Sequence, residues 1–399
     1  IVDTQCPLTG SITDTAPFAW GKRPADPVSA SFLLVPWLTY LHYGNDRLIR
    51  THYDQLGRWV EYMLSRSKSS ILEYSNWGDW SPPEAFAIAG SIGAGAISKD
   101  TPGALVSTAY MQYQCALMAR MAGVIGRTDE ACRWSKVAEE VKAVFHERFW
   151  NPSVNGYHTG NQACNALALY MELVPDELRA CVVDSLVADV KQRDYHLTTG
   201  NLCTKYLLEV LSVNGHADVA YRLATQTSYP SWGYMLEQGA TTLWERWENK
   251  ADSEMNSHNH PMLGSISTWF FKYLVGIVPD ERAPGFRRFI VRPYPVAALG
   301  RASASYHCPH GEIRVAWECE ADNFALDVAV PNNTRATLCV PSMDKESVRA
   351  LVLSDGETAV PSFIRLNEGR AIFEAGPGQY QFCSTWNAPC EEPCPTPNP

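Results

Sequence analysis

The chain has 399 residues, of which 46% are hydrophobic and 19% are charged, and its formal net charge is −10. This composition is typical of a globular protein with one large domain and one smaller domain. The negative charge and the lack of any stretch rich in Lys and Arg argue against nucleic acid or an anionic membrane surface as a partner. No apolar run reaches the ~18 residues that a membrane-spanning helix needs.

Helical periodicity dominates roughly the first 280 residues. Apolar residues form one stripe at helical spacing within Asn45–Arg66 and again within Thr128–Phe149, which predicts two amphipathic helices. Thr128 is the predicted N-cap of the second helix. Between the two, Ala104–Met121 carries almost no charge, so this segment is predicted to be a helix that is buried on most sides.

A glycine precedes an apolar run at three places, Gly160, Gly200 and Gly239, which are 40 and 39 residues apart. Each glycine is predicted to open a buried inner helix. The intervals also contain outer amphipathic helices such as Pro175–Val190, with Pro175 at the first helical position. A repeat of this length indicates stacked helical hairpins, in an open solenoid or in a closed α/α barrel, with the loops before the inner helices on one face.

The pattern changes to a period of two after Pro284. Glu312–Cys319 alternates apolar with polar residues, which predicts a β-strand with one buried face. Further short strands are predicted at Phe324–Val330, Ala336–Val340, Ala371–Phe373 and Gln379–Phe382. We therefore expect an antiparallel β-sandwich over residues 284–384 and a Pro-rich tail over residues 385–399.

The densest cluster of acidic and aromatic residues lies between residues 231 and 247. Within it, Glu245 stands between Trp244 and Trp247, with Arg246 adjacent. Indole walls desolvate a carboxylate and raise its pKa, whereas a nearby guanidinium lowers it, and this balance suits a general base. The alternative is a buried Glu–Arg pair with a purely structural role.

Two further clusters contain side chains suited to a sugar. Trp80 offers an indole face to a sugar ring, and the adjacent Asp79 offers two hydrogen-bond acceptors. The alternative is a structural loop in which Asp79 caps a helix. His260 follows Asn259 just before Met262–Ile277, an apolar run predicted to be a helix, and its ring nitrogens suit a sugar hydroxyl.

The sequence contains no recognisable motif for a cofactor or a metal. It lacks a Gly-rich phosphate loop with Lys, a dinucleotide-binding glycine motif after a strand and a nucleophile elbow. Its 12 cysteines include no C-x-x-C pair, and its histidines do not have the spacing of zinc ligands. We therefore expect neither a cofactor nor a metal.

Several motifs follow one another in a fixed order along roughly residues 1–300. They are Tyr229–Met235 leading into Gly239–Trp247, Gly78-Asp79-Trp80, His196-Leu197-Thr198-Thr199-Gly200, and Asn259-His260 before Gly264. Together they resemble the signature of glycoside hydrolase family 78, the α-L-rhamnosidases. The resemblance implies an (α/α)6 barrel over residues 1–283, with its N-terminal part missing, followed by the β-sandwich. It also implies hydrolysis with inversion and no metal in the chemistry.

The resemblance assigns roles to individual residues. Glu245 matches the family's general base, and Trp80 and His260 match a tryptophan and a histidine that contact the sugar. The predicted substrate site consists of Asp79, Trp80, Trp232, Trp244 and His260. An inverting hydrolase also needs a second carboxyl group, roughly 6.5–9.5 Å from the base, to act as general acid.

The chain departs from the family pattern in two places. The family's general acid lies in a stretch of the form Asp-Cys-Pro-Gln-Arg-x-Glu followed by Gly-Trp-x-Gly-Asp, and nothing here matches it, so the acid is expected upstream of Ile1. Many members also carry Trp-Gly-Asp-Ala where this chain has Val28-Ser29-Ala30-Ser31. One aromatic contact to the sugar is therefore expected to be missing.

These observations predict an inverting exo-glycosidase that removes terminal α-L-rhamnosyl residues from glycosides or oligosaccharides. Glu245 is its expected base, and an upstream segment of the same polypeptide is the expected source of the acid. Two alternatives are retained. One is an exo-hydrolase on the same barrel that acts on glucose- or mannose-type sugars, and the other is a carbohydrate-binding protein without catalysis.

Overall fold

A computed structural model of the protein describes residues 1–89, 96–250, 255, 257–353 and 360–386. The chain divides into two compact units. The first unit comprises residues 1–39, 46–214 and 222–266, and the second comprises residues 40–45, 215–221 and those from 267 onwards. None of the helices in the described ranges is both long and apolar enough to cross a membrane.

The first unit is mainly helical, and some of its helices continue into segments that belong to the second unit. The α-helices are α1 (Ser31–Tyr43), α2 (Arg47–Arg66), α3 (Gly103–Val124), α4 (Thr128–Phe149), α5 (Gln162–Tyr170), α6 (Asp176–Gln192), α7 (Asn201–Val213), α8 (Ala217–Ala224), α9 (Trp232–Glu237) and α10 (Ile266–Trp269). Shorter elements are 3-10 turns at Val2–Thr4, Glu84–Phe86 and Met262–Ser265, a π-helical turn at Phe270–Leu274, and the strand pair β1 (Trp150–Asn151) and β2 (Gly156–Tyr157).

Inner and outer helices alternate along the first unit. The inner helices α3, α5 and α7 are buried along most of their lengths, and α5 packs against both α3 and α7. The amphipathic helices α2 and α4 pack on α3, and α6 packs on α5. On α2 the buried residues fall on one stripe that includes Tyr53, Leu56 and Trp59, because a helix brings every third or fourth side chain to the same face. The predicted helical hairpins are confirmed.

Helix ends were predicted less well than helices. Thr128–Phe149 has the predicted bounds, but Thr128 is the first helical residue and Arg127 occupies the N-cap position without a capping side chain. The guanidinium of Arg127 instead donates to Asp54 at 2.6 Å and to Glu130 at 3.2 Å. Pro175 likewise is the N-cap of α6 rather than its first residue.

Two of the three glycine motifs open helices as predicted. The carboxamide of Asn161, after Gly160, accepts a hydrogen bond from the backbone N–H of Cys164 at 2.9 Å and caps α5, while Gly200 is the N-cap of α7. The prediction for Gly239 is wrong, because residues 240–250 form no helix. Gly239 has φ +83° and ends the preceding α9, a position that favours glycine.

The second unit contains a β-sandwich. Its strands are β3 (Ile277–Pro279), β4 (Arg288–Val291), β5 (Arg301–Cys308), β6 (Gly311–Glu320), β7 (Asn323–Val330), β8 (Arg335–Pro341), β9 (Arg349–Val352), β10 (Ser362–Asn367), β11 (Arg370–Ala375) and β12 (Gly378–Thr385). One sheet has the order β10-β11-β8-β4-β3 and the other has the order β5-β6-β7-β12-β9. The apolar run predicted as a helix to Ile277 ends earlier, because Ile277 begins β3.

The inner faces of the two sheets share one apolar core. Phe289 and Leu338 come from the first sheet, and Val315, Trp317 and Tyr380 from the second. The alternation predicted for β6 is confirmed, since Ile313, Val315 and Trp317 are buried between more exposed neighbours. Neighbouring strands are antiparallel with one correction to the prediction, a parallel pairing of β4 with β8. Trp386 belongs to this core, and the rest of the predicted Pro-rich tail, from residue 387 on, lies outside the described residues.

Candidate active site

Two sequence motifs that lie 165 positions apart meet at Glu245. The indole Nε1 of Trp80 donates to Oε1 of Glu245 at 2.9 Å. The backbone of Glu245 is fixed as well, because its N–H donates to the carbonyl oxygen of Ser257 at 3.0 Å. The side chain of Glu245 is therefore held by one loop and its backbone by another.

A third motif, the residues that open α7, lies between these two loops. The backbone N–H of Asn201 donates to the carbonyl oxygen of Trp80 at 2.7 Å, and its Nδ2 donates to the carbonyl oxygen of Glu245 at 3.2 Å. The indole of Trp247 donates to the carbonyl oxygen of Thr199 at 3.0 Å. A Cβ on Gly200 would lie 2.2 Å from the carbonyl oxygen of Trp80, so only glycine permits this approach.

Asp79 is directed away from solvent. It is 1% exposed, and its two oxygens accept hydrogen bonds from the backbone N–H groups of Gly200 at 2.8 Å and Cys203 at 2.9 Å. Burial raises the pKa of Asp79 to about 6, although both hydrogen bonds act in the opposite direction. This geometry favours the structural alternative, in which Asp79 caps α7, over direct hydrogen bonds to a sugar.

Trp232 and Trp244 are both buried, at 6% and 3% exposure. The indole N–H of Trp232 donates to the carbonyl oxygen of Leu263 at 3.1 Å, and its ring meets the edge of Trp247 at a centroid distance of 5.3 Å. Trp244 meets His258 edge-on at 5.4 Å. These contacts pack both rings among their neighbours, and their low exposure leaves little of their surfaces open to a ligand.

His260 lies in the segment that pairs with the Glu245 loop. Its backbone N–H donates to the carbonyl oxygen of Leu243 at 2.9 Å, next to the bond between Glu245 and Ser257. The hydroxyl of Thr242 donates to the carbonyl oxygen of His258 at 2.6 Å. The imidazole of His260 is half-buried, and its Nδ1 accepts from the N–H of Met262 at 3.4 Å. Asn256, which precedes Ser257, lies outside the described residues.

Glu248, which follows the Glu245 motif, was not predicted from the sequence to take part in the site. Its carboxylate accepts from Nε of the fully buried Arg246 at 3.3 Å, from the N–H of Glu84 at 2.7 Å and from the hydroxyl of Tyr229. The structural Glu–Arg pair considered above therefore exists, but its carboxylate is that of Glu248. This network attaches the loop containing Glu84 to the end of the Glu245 segment.

Two tryptophans that were not singled out from the sequence lie beside Trp80. Trp77 meets Trp80 edge-on at a centroid distance of 5.0 Å, and Trp20 stacks on Trp77 at 5.8 Å with an interplanar angle of 16°. We call these three residues the tryptophan row. Nothing in the sequence signals the row, since Trp20 lies in an irregular loop. Among the described residues, no group of three or more His, Cys, Asp or Glu has an arrangement that holds a metal ion.

A mainly helical unit with inner and outer helices in hairpins, followed by a β-sandwich and carrying a carboxylate fixed by an indole, fits the architecture of a six-hairpin glycosidase. The family model described as the bacterial alpha-L-rhamnosidase 6 hairpin glycosidase domain matches residues 1–274, and the model of the bacterial alpha-L-rhamnosidase C-terminal domain matches residues 276–350. The chain belongs to the bacterial α-L-rhamnosidase family, with the (α/α)6 barrel fold predicted above.

Individual relatives agree. An α-L-rhamnosidase from Streptomyces avermitilis is 32% identical over 382 residues, which cover 94% of this chain and 34% of that protein. One from Formosa agariphila is 31% identical over 357 residues, covering 88% of this chain and 37% of that protein.

Solved structures of α-L-rhamnosidases are also similar to this chain. The α-L-rhamnosidase from Dictyoglumus thermophilum has a TM-score of 0.85 and 31% identity, covering 96% of this chain and 42% of that chain. The Streptomyces avermitilis α-L-rhamnosidase complexed with L-rhamnose has a TM-score of 0.83 and 31% identity, covering 96% of this chain and 35% of that one. The chain thus spans between about a third and two fifths of the length of these relatives.

Proposed function

We propose that this chain carries the general-base side of the catalytic site of an inverting α-L-rhamnosidase, with Glu245 as the base. The hydrogen bond from Trp80 to Glu245 is the observation that carries the proposal. It fixes one carboxylate oxygen and orients the other, as a base that must abstract a proton from a positioned water requires. The relatives named α-L-rhamnosidases support the choice of substrate, and one of them has been solved with L-rhamnose.

In this mechanism Glu245 removes a proton from a water molecule that attacks the anomeric carbon of a terminal α-L-rhamnosyl residue. The attack comes from the face opposite the leaving oxygen, so the configuration inverts. Each cycle consumes one water and one glycosidic bond, and it releases rhamnose and the alcohol that carried it. Trp80 and His260 contact the sugar, while Asp79, Trp232 and Trp244 hold the surrounding loops in place.

The leaving oxygen needs a proton from a second carboxyl group. We propose that this group lies in polypeptide outside residues 1–399, because no stretch of the chain matches the family's acid motif. The network around Glu248 is a poor source of the acid, since its carboxylate is engaged by Arg246, Glu84 and Tyr229. The isolated chain is therefore expected to bind sugar without useful turnover.

The test is Glu245→Gln in the polypeptide that includes the upstream segment, assayed on a nitrophenyl α-L-rhamnoside. We expect kcat to fall by at least ~10²–10⁴, since general-base assistance alone is worth that much, with KM within a fewfold of the wild-type value. Glu139→Gln, on the exposed side of α4, is the matched control and should leave kcat unchanged. An unchanged kcat in Glu245→Gln removes this residue from the mechanism.

The same assay distinguishes the alternatives. Hydrolysis of nitrophenyl glucosides or mannosides in preference to the rhamnoside would identify another exo-glycosidase on this barrel. Binding of L-rhamnose with no hydrolysis by the longer polypeptide would identify a sugar-binding protein. Equal activity of residues 1–399 with and without the upstream segment would mean that a carboxyl group within this chain donates the proton.

A further inference from the structure

Trp20 combines high exposure with a fixed position. Its side chain is 67% exposed, which is unusual for a residue with so large an apolar surface. One face of the indole lies on Trp77, and Trp77 in turn meets Trp80, which bonds Glu245. The tryptophan row therefore leads from solvent to the proposed base, and its outer end presents an open aromatic face.

The loop that carries Trp20 is held by its own hydrogen bonds. The hydroxyl of Thr15 accepts from the N–H of Trp20 at 3.2 Å and donates to the carbonyl oxygen of Trp20 at 2.7 Å. The same hydroxyl accepts from the N–H of Ala19 at 3.1 Å. Gly21 adopts φ +95°, and a Cβ there would lie 2.5 Å from Cβ of Asp14, so the turn after Trp20 requires glycine.

Trp77, on which Trp20 stacks, is fixed by two carboxylates. Its indole N–H donates to Asp14 at 3.1 Å, and its backbone N–H donates to Asp26 at 2.9 Å. Asp14 also accepts from the N–H groups of Lys22 at 2.8 Å and Asp26 at 3.1 Å, which joins the Trp20 loop to the Trp77 loop. These bonds preorganise an exposed ring that contributes little to the core, which is expected of a ligand contact.

We propose that the exposed face of Trp20 binds the sugar residue to which the terminal rhamnose is attached. This inference rests on the function proposed above. Trp20 lies within about 11 Å of Trp80, the sum of centroid steps of 5.8 and 5.0 Å. In an inverting enzyme the leaving group is on the side of the acid, roughly 6.5–9.5 Å from the base, so a ring beyond Trp80 is at a suitable distance.

The occupant is a sugar ring rather than a planar aromatic one because the site has a single open face. Trp77 lies against one side of Trp20 in an offset stack, so the opposite side is the one on which a ligand ring can stack. A pyranose packs its C–H face on the indole and keeps its hydroxyl groups in water on the other side. A planar aromatic ring leaves its second apolar face exposed to water and gains less from this arrangement.

The experiment compares Trp20→Ala with wild type in the polypeptide that includes the upstream segment. Three substrates are used: an α-L-rhamnosyl-glucose disaccharide, a nitrophenyl α-L-rhamnoside, and α-L-rhamnosyl fluoride, whose leaving group has no ring. We expect kcat/KM to fall by about threefold to tenfold on the disaccharide and to stay within twofold on the other two substrates. Trp20→Phe, which keeps an aromatic face, should recover most of the loss.

Tyr43→Ala is the matched control, because Tyr43 is similarly exposed, at 69%, and belongs to no part of the row. Melting temperatures of all variants establish that each variant still folds. Equal losses on all three substrates, or no loss on any, overturn the inference, and a loss on the nitrophenyl rhamnoside as large as on the disaccharide overturns the assignment to a sugar. A wild-type protein that cleaves none of the three contradicts the proposed function itself, which separates the two failures.

Discussion

Replacing Trp80 by phenylalanine tests whether the indole N–H positions the proposed base. The Trp80→Phe substitution keeps an aromatic ring beside Trp77 and removes the 2.9 Å hydrogen bond to Glu245. A hydrogen bond to a charged group is worth about 1.5–3 kcal/mol. If all of this free energy serves to orient the carboxylate in the transition state, kcat falls by about 10- to 150-fold, because about 1.4 kcal/mol corresponds to a tenfold change.

The assay is steady-state hydrolysis of a nitrophenyl α-L-rhamnoside, with the melting temperature measured on the same preparations. Trp59→Phe is the matched control, since Trp59 is fully buried on α2 and its indole donates to Gln114 at 3.0 Å. That variant should lose stability and keep its kcat. If Trp80→Phe retains kcat within twofold of wild type, the indole bond does not position Glu245 and the reasoning is refuted.

Two further predictions concern the loops around the base. Gly200→Ala should lower the free energy of unfolding by about 3 kcal/mol or more, because the added Cβ would lie 2.2 Å from a carbonyl oxygen. Gly123→Ala is the control: its added Cβ would have no atom outside its own helix within 4 Å, and the free energy of unfolding should rise by roughly 0.5–1 kcal/mol. Denaturant titration measures both changes. Burial raises the pKa of Asp79 from 3.8 to about 6, so the wild type loses stability as the pH rises through this range, and the loss is nearly complete above about pH 6. The stability deficit of Asp79→Asn relative to wild type should therefore shrink by roughly 2 kcal/mol from pH 4 to pH 7, and a deficit that widens over this range contradicts the direction of the shift.

Local periodicity predicted the helices well because each helix pattern is complete within one segment. The stripe in Thr128–Phe149 contains everything needed to identify an amphipathic helix, and its bounds were predicted correctly. Its cap was not, because the position of Arg127 depends on Asp54, a residue of another helix. At Gly239 the regular spacing itself misled the prediction. It suggested that a helix begins there, whereas this glycine follows the end of α9.

The candidate site was predictable where the side chains of two motifs meet, and less so where a side chain bonds to backbone groups instead. Trp80 and Glu245 were selected from two separate motifs, and the structure brings them together at 2.9 Å. The carboxylate of Asp79 turns instead to backbone groups 121 and 124 positions away, which no local pattern reveals. The pairing of Arg246 with Glu248 is local, but the sequence places Glu245 and Glu248 equally close to the guanidinium and does not distinguish between them.

The short stretch from Thr199 to Asn201 has a consequence for how such loops can change over time. Its backbone and side chains are the hydrogen-bond partners of both the Trp80 loop and the Glu245 segment. A loop transplanted here from another glycosidase would have to place its donors and acceptors at the same positions to keep these hydrogen bonds, however well its own motif is preserved. The three loops can be exchanged only as a set, and the loop that carries Trp20 is tied to that set through the hydrogen bonds that Asp14 accepts from Trp77 and Lys22.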